Sequence, residues 1–201
     1  MANNSLKRSF FERQPDVVAR DLIGVEIVVR SQERTLTARL VETEAYGGGD
    51  DPASHAFRGP TPRNQIMFGP AGFLYVYLSY GVHWCVNVVT GKSGSPCAVL
   101  LRAGELCIDP ASSSHGDVAK IRLSGPGNLT RGLGIDGSDN GTDCCQTPRG
   151  RIGFQHGTES EDVLRIGQSS RIGLSKAVDR QSRYFLVGHA AVSGGKKRRG
   201  S

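Results

Sequence analysis

The chain has 201 residues, 37% of them hydrophobic, five cysteines and a formal net charge of +6, enough for one sizeable core, and with no internal repeat or long linker one domain is the expectation. No apolar run nears the roughly 18 residues that span a bilayer, the first residues lack the apolar segment of a secretory signal, and Cys85, Cys97, Cys107, Cys144 and Cys145 show none of the paired spacings of a zinc site. These features argue against membrane, secreted and zinc-dependent classes and for a reduced, intracellular protein. Part of the basic excess lies in Lys196-Lys197-Arg198-Arg199. The body is therefore only mildly basic, a balance that permits a polyanionic partner without demanding one.

In chain order, residues 14–24 predict a short helix, with Pro15 near its first position and Gly24 just past its end. Residues 25–29 and 36–43 predict two strands joined by a turn over 31–34. If the second strand runs on, Glu42, Glu44 and Tyr46 share one face, and Val41, Thr43 and Ala45 the other. A solvated edge and the wall of a pocket both fit that alternation. The Gly/Asp/Pro-rich loop 47–52, returning His55 nearby, favours the pocket. Thr61-Pro62-Arg63-Asn64 predicts the start of a helix or turn, where Arg63 suits either a phosphate contact or a capping role. Residues 73–79 predict a strand that sets Tyr75, Tyr77 and Ser79 against Val76 and Leu78. Tyr80 precedes Gly81 and so falls at an exposed hairpin tip, beyond which the strand pattern resumes over 84–89. Residues 97–101 predict a buried strand that delivers Arg102 at its end. Residues 106–119 and 135–149 read as loops, and 163–166, 171–173 and 184–187 as short strands. Residues 124–132 read as a glycine-bearing helix start whose free amides suit a phosphate, without the lysine and spacing of a P-loop.

A glutamate beside aromatic side chains suits hydrolysis of an N-glycosidic bond, because a carboxylate can position water and stabilise an oxocarbenium-like sugar. Reaching that bond in a duplex requires extruding the nucleotide, at a cost of a few kcal/mol that is least for a damaged base. An exposed tyrosine at a hairpin tip suits a wedge in the minor groove. Flat aromatic walls would hold the extruded base by stacking, worth on the order of 1–3 kcal/mol. There is no lysine in a pocket motif for a Schiff base, and no Gly-x-Ser-x-Gly elbow. Residue patterns alone thus lead to a basic, metal-independent, nucleic-acid-directed domain.

The ordered set Val41-Glu42-Thr43-Glu44-Ala45-Tyr46, His55, Thr61-Pro62-Arg63-Asn64, Met67-Phe68, Leu74-Tyr75-Val76-Tyr77, Tyr80-Gly81 and Cys85-Val86-Asn87 closely resembles the alkyladenine (3-methyladenine) DNA glycosylase family. The likeness continues through Leu100-Leu101-Arg102-Ala103, residues 124–129 and Arg171-Ile172-Gly173. It implies a mixed α+β fold: a single compact domain around a curved antiparallel β-sheet with a protruding DNA-intercalating β-hairpin. The expected layout is a flexible arm over 1–10, the glycosylase domain over 11–192 and a basic flexible tail over 193–201. The resemblance further implies that Glu44, rather than Glu42, activates the attacking water. It implies that Tyr46, His55 and Tyr77 enclose the flipped base, that Asn87 at the rim excludes bases with an extra exocyclic amino group, that Tyr80 intercalates, and that Arg102 contacts the flipped nucleotide's backbone. Arg63 and His83 are further candidate DNA contacts; Val82-His83-Trp84 departs from the set that animal members carry after the wedge. The implied protein is a monomeric, monofunctional glycosylase without metal or cofactor. It would act on duplex DNA carrying 3-methyladenine, 7-methylguanine, hypoxanthine or ethenoadenine and leave an abasic site. The alternatives are a non-catalytic binder of DNA lesions, whose mark would be a lost glutamate or pocket tyrosine, and a small-molecule hydrolase with an incidental basic surface.

Overall fold

The valine- and isoleucine-rich stretch after Gly24 and the alternating stretch after Arg34 form an antiparallel pair, β1 (Glu26–Arg30) and β2 (Thr35–Tyr46), with Ile27 opposite Ala38. In the computed structural model, which describes residues 4–107, 121–146, 150–157 and 164–194, six further strands join them. These are β3 (Leu74–Ser79), β4 (His83–Thr90), β5 (Cys97–Leu106), β6 (Ile152–Gln155), β7 (Ile166–Ser169) and β8 (Arg183–Leu186). The sheet runs β3-β4-β5-β2-β1-β6, and β8 joins β2 to β7; every pairing is antiparallel.

β2 is the organising strand. Its first part pairs with β1 and β5, and its last part with β5 and β8, so Glu42, Thr43 and Glu44 lie inside the sheet and are fully buried. A solvated edge face is thereby excluded for the two glutamates. The register against β5 slips twice, since Leu40 faces Gly104, Glu42 faces Ala103 and Thr43 faces Leu101, leaving Val41 and Arg102 as bulged residues. Bulges bend strands and increase their twist. Here they curl the sheet and turn Arg102 toward the glutamates.

The predicted first helix is α2 (Pro15–Asp21), preceded by a single turn, α1 (Arg8–Phe11). Proline fits its first turn, where a missing N–H costs nothing. Val18 and Ala19 bury against the sheet, and the Thr43 hydroxyl donates to the Ala19 carbonyl at 2.8 Å. α3 (Pro126–Leu133) packs Leu129, Thr130 and Leu133 onto β4 and β5. The main core, with Phe11, Leu22, Ile27, Leu40, Leu101 and Phe154 among its members, lies under this face. A second cluster of Ala56, Met67, Tyr75, Val89 and Ala98 lies beneath the candidate site. In the segment expected to be an arm, Ser5 bridges Gln155 and Leu6 is buried, its N–H donating to the Phe154 carbonyl at 2.9 Å.

Three local expectations change. Residues 171–173 form a loop rather than a strand, because Ile172 spends its N–H on the Glu44 carboxylate and Arg171 is anchored through its side chain. The strand expected at 163–166 starts at Ile166, residue 163 lying outside the described residues, and β5 runs on past Arg102 to Leu106. Residues 108–119 of the expected loop, 147–149 and the basic run 196–199 also lie outside the described residues. Among the described residues no helix is long and apolar enough to cross a membrane.

Candidate active site

In the β3–β4 ladder Tyr75 faces Asn87, Tyr77 faces Cys85 and Ser79 faces His83. Period-two alternation therefore puts Tyr75, Tyr77, Cys85 and Asn87 on one face. That face lines a cleft of about 460 Å³, closed from other directions by Tyr46, His55, Arg63, Arg102 and Ile172. The walls are aromatic. His55 and Tyr77 meet edge to face at 4.6 Å, Tyr75 and Tyr77 stack at 5.3 Å, and the Arg63 guanidinium lies 5.3 Å from the Tyr77 ring centre. His55 Nδ1 shares a hydrogen bond of 2.9 Å with the Tyr75 hydroxyl, and the Asn87 amide donates to the Tyr75 carbonyl at 3.0 Å, which fixes its orientation. Burial and then the nearby Arg63 charge hold His55 below the ordinary imidazole range, so the ring is neutral at pH 7.

The two glutamates behind this cleft have different surroundings. Glu42 Oε1 accepts from Arg102 Nε, Arg183 Nε and the Ser193 hydroxyl, each at 2.8 Å, and Oε2 accepts from the Ser193 N–H at 2.5 Å. Burial pushes the Glu42 carboxyl up, but the Arg102 charge and the bonds from Ser193 and Arg183 outweigh it and hold it low. Among the described residues Glu44 Oε1 accepts from the Ile172 N–H alone, at 2.7 Å. Its Oε2 takes the Tyr46 hydroxyl at 3.0 Å and lies 3.2 Å from Arg102 Nη1. Tyr46, Arg102 and Ile172 all line the cleft, so Glu44, itself fully buried, sits immediately behind its floor. Burial and then the Glu44 charge push the Tyr46 phenol up, keeping it a proton donor. Both glutamates share Arg102, but the remaining partners of Glu42, Arg183 and Ser193, lie away from the cleft lining, whereas the remaining partners of Glu44, Tyr46 and Ile172, border it.

A second buried pair fixes the loops on either side. Arg171 Nη1 and Nη2 grip both Asp51 oxygens at 2.5 and 2.9 Å, and the guanidinium lies 4.6 Å from the Tyr46 ring centre. Asp51 also accepts from the N–H groups of Gly47 and Ala53. Burial pushes the Asp51 carboxyl up; the bonds and charge of Arg171 outweigh it and hold it low. With the folded values of Glu42 and Asp51 below the unfolded ones, ionisation of both favours the folded state. That stabilisation is fully present above the unfolded range near about 4 and is lost as pH falls through the lowered folded values. The melting temperature of the wild type should therefore drop steeply below about pH 4. Asp51→Asn, less stable at neutral pH, should show a shallower acid drop in thermal unfolding from pH 7 to 3; parallel profiles would refute this role.

Tyr80 stands at the hairpin tip, 94% exposed, with φ of +50° followed by +70° at Gly81. The Val82 N–H returns to the Ser79 carbonyl at 3.0 Å, the closure of a two-residue turn with left-handed residues at both centres. Such a φ is strained for a bulky residue, and persisting strain of this kind clusters at functional sites. Val82 and Leu78 flank it, exposed. His83 lies outside the cleft, with its side chain against Gly127 of α3, where an added Cβ would come within 2.9 Å. The structure thus gathers Glu44, Tyr46, His55, Arg63, Tyr77, Tyr80, Asn87 and Arg102 around one cleft and leaves His83 on its outer side. Arg183 and Ser193 carried no sequence signal of their own, lying 141 and 151 residues from Glu42, and nothing in the loop 47–52 or in Arg171-Ile172-Gly173 signalled that Asp51 and Arg171, 120 residues apart, pair. Among the described residues no three His, Cys, Asp or Glu side chains converge as a metal site.

A profile of the methylpurine-DNA glycosylase family matches residues 9–190, nearly the whole chain. The chain belongs to this family. It is 43% identical over 192 residues to a protein of Methanoculleus marisnigri, covering 94% of this chain and 98% of the relative. It is 40% identical over 202 residues to one of Frankia casuarinae, covering 92% and 90%. A third relative, from Bradyrhizobium diazoefficiens, is 41% identical over 198 residues, covering 94% and 90%. Each carries the provisional name 3-methyladenine DNA glycosylase. Membership of the methylpurine-DNA glycosylases makes the chain a hydrolase of DNA repair.

Proposed function

We propose that this methylpurine-DNA glycosylase excises alkylated or deaminated purines, namely 3-methyladenine, 7-methylguanine, hypoxanthine and ethenoadenine, from duplex DNA, working as a monomer without cofactor. The observation that carries the reading is a buried carboxylate, Glu44, directly behind an aromatic cleft that adjoins an exposed, strained tyrosine. The damaged nucleotide swings into the cleft, and Tyr80 fills the space it left. Tyr46, His55 and Tyr77 pack against the base by stacking and edge contacts. Glu44 takes a proton from water as the water oxygen bonds to C1′ and the C1′–N electron pair leaves with the base. The nucleotides of 3-methyladenine and 7-methylguanine are cationic, so these bases leave neutral without further protonation, whereas hypoxanthine and ethenoadenine start neutral and take up a proton from solvent as the C1′–N bond breaks. The fixed Asn87 amide, set at the rim, disfavours an extra exocyclic amino group, so unmodified guanine is excluded and 7-methylguanine, which carries that group but has a weakened glycosidic bond, is a poorer substrate than 3-methyladenine. Arg102 reaches the flipped nucleotide's backbone, and Arg63 and His83 contact DNA beside the cleft.

Tyr80→Ala should weaken binding to a lesion duplex at least about tenfold, equivalent to about 1.4 kcal/mol. It should leave binding to a single strand with the same lesion nearly unchanged. Titration of both substrates checks this, and equal losses would remove the wedge role. A second reading, a non-catalytic lesion binder, draws on the complete burial of Glu44, whose three donor contacts would then serve only to hold the floor. Release of free base from lesion duplexes separates the two.

A further inference from the structure

The segment after β8 turns back at His189, with the Val192 N–H on the His189 carbonyl at 3.2 Å, and brings Ser193 behind the cleft. There each polar group of Ser193 is engaged by a buried or half-buried partner. Its N–H donates to Glu42 Oε2 at 2.5 Å, its hydroxyl donates to Glu42 Oε1 at 2.8 Å and accepts from Arg102 Nη2 at 3.1 Å, and its carbonyl accepts from Arg183 Nη2 at 2.8 Å.

Arg102 has a planar guanidinium, so two fixed corners determine the third. Glu42 holds Nε and Ser193 holds Nη2; the remaining corner, Nη1, is then aimed at Glu44 Oε2, 3.2 Å away. We propose that Ser193 is a positioning residue for base excision, locking Arg102 so that Glu44 is held in its reactive orientation. This rests on the reading of Glu44 as the base that activates water. Serine suits the place because its hydroxyl must accept from a cation and donate to a carboxylate at once. Alanine offers neither, and would leave Arg102 pivoting about its Nε contact. The turn has a second line to the same carboxylate. Gly194, at φ +74°, lies against the Ile172 side chain, where an added Cβ would come within 3.1 Å of Cδ1, and Ile172 gives Glu44 its backbone N–H.

The test compares wild type, Ser193→Ala, Ser193→Thr and Glu44→Gln in single-turnover base release at saturating protein, with duplex affinity and melting temperature measured alongside. Ser193→Ala should slow release about tenfold, the loss expected for one hydrogen bond, with affinity for the lesion duplex within twofold of wild type. Ser193→Thr, which keeps the hydroxyl, should restore the rate to within about threefold. A Ser193→Ala rate within twofold of wild type, with Glu44→Gln inactive, overturns the positioning role alone. A loss of rate and affinity together that threonine does not restore reduces Ser193 to a structural plug and also overturns it. Release by Glu44→Gln at the wild-type rate overturns the reading of Glu44 and this inference with it.

Discussion

Glu44→Gln should lower single-turnover base release by at least about a thousandfold, within the range expected for loss of a general base, while lesion-duplex affinity stays within about threefold. The amide preserves shape and can still accept from the Ile172 N–H, but it cannot take a proton from water. It also sets an NH₂ group against either the Tyr46 hydroxyl and Arg102 or the Ile172 N–H, all of which donate to the carboxylate in the native protein. A buried donor facing a donor costs roughly 1–3 kcal/mol. The variant should therefore also melt a few degrees lower, and release must be measured well below its transition. Unchanged release would assign the chemistry elsewhere; lost release with lost binding would make Glu44 a support of the pocket.

Arg102→Ala should be the most destabilising single change at the site. It strips a cation from two fully buried carboxylates, Glu42 and Glu44, and opens a bond of Ser193. Removing one partner of a buried ion pair costs about 3–5 kcal/mol, or roughly 10 °C in melting temperature for a domain of this size. Arg102→Lys should recover little, because an ammonium cannot span three acceptors in a plane. Base release should fall with stability. If the contact with the flipped nucleotide's backbone were the main role of Arg102, and its buried ion pairs minor, the pattern would differ: wild-type melting, weaker DNA binding and a shallower dependence of affinity on salt. Thermal unfolding together with a salt titration separates the two.

The parts of this site that were legible in sequence are those set by local pattern. Alternation in β2 put Glu42, Glu44 and Tyr46 on one face, and the Tyr80-Gly81 pair marked a tip. What local pattern could not do was separate the two glutamates. The partners that occupy Glu42 come from Arg183 and Ser193, 141 and 151 residues away. Arg102 looked like a strand-end residue because nothing in Leu100-Leu101-Arg102-Ala103 signals a bulge; the strand continues, and the slip in register is what turns the side chain inward. Arg171-Ile172-Gly173 read as a strand for its isoleucine. Its backbone donor instead serves Glu44, and its arginine anchors the glycine-rich loop through Asp51. A buried ion pair thus pins a loop whose composition gives no sign of an anchor. Tyr75, which the sequence placed on the same strand face as Tyr77 without a role of its own, orients His55 through its hydroxyl.

The most direct measurement is single-turnover release of free base by the wild-type protein, in EDTA, from duplexes carrying hypoxanthine, ethenoadenine or an alkylated purine. A hydrolytic glycosylase built on Glu44 should release the modified base from at least one of these duplexes and leave an abasic site. Tight binding of the lesion duplexes with no base released from any of them would contradict it and leave a lesion-binding protein.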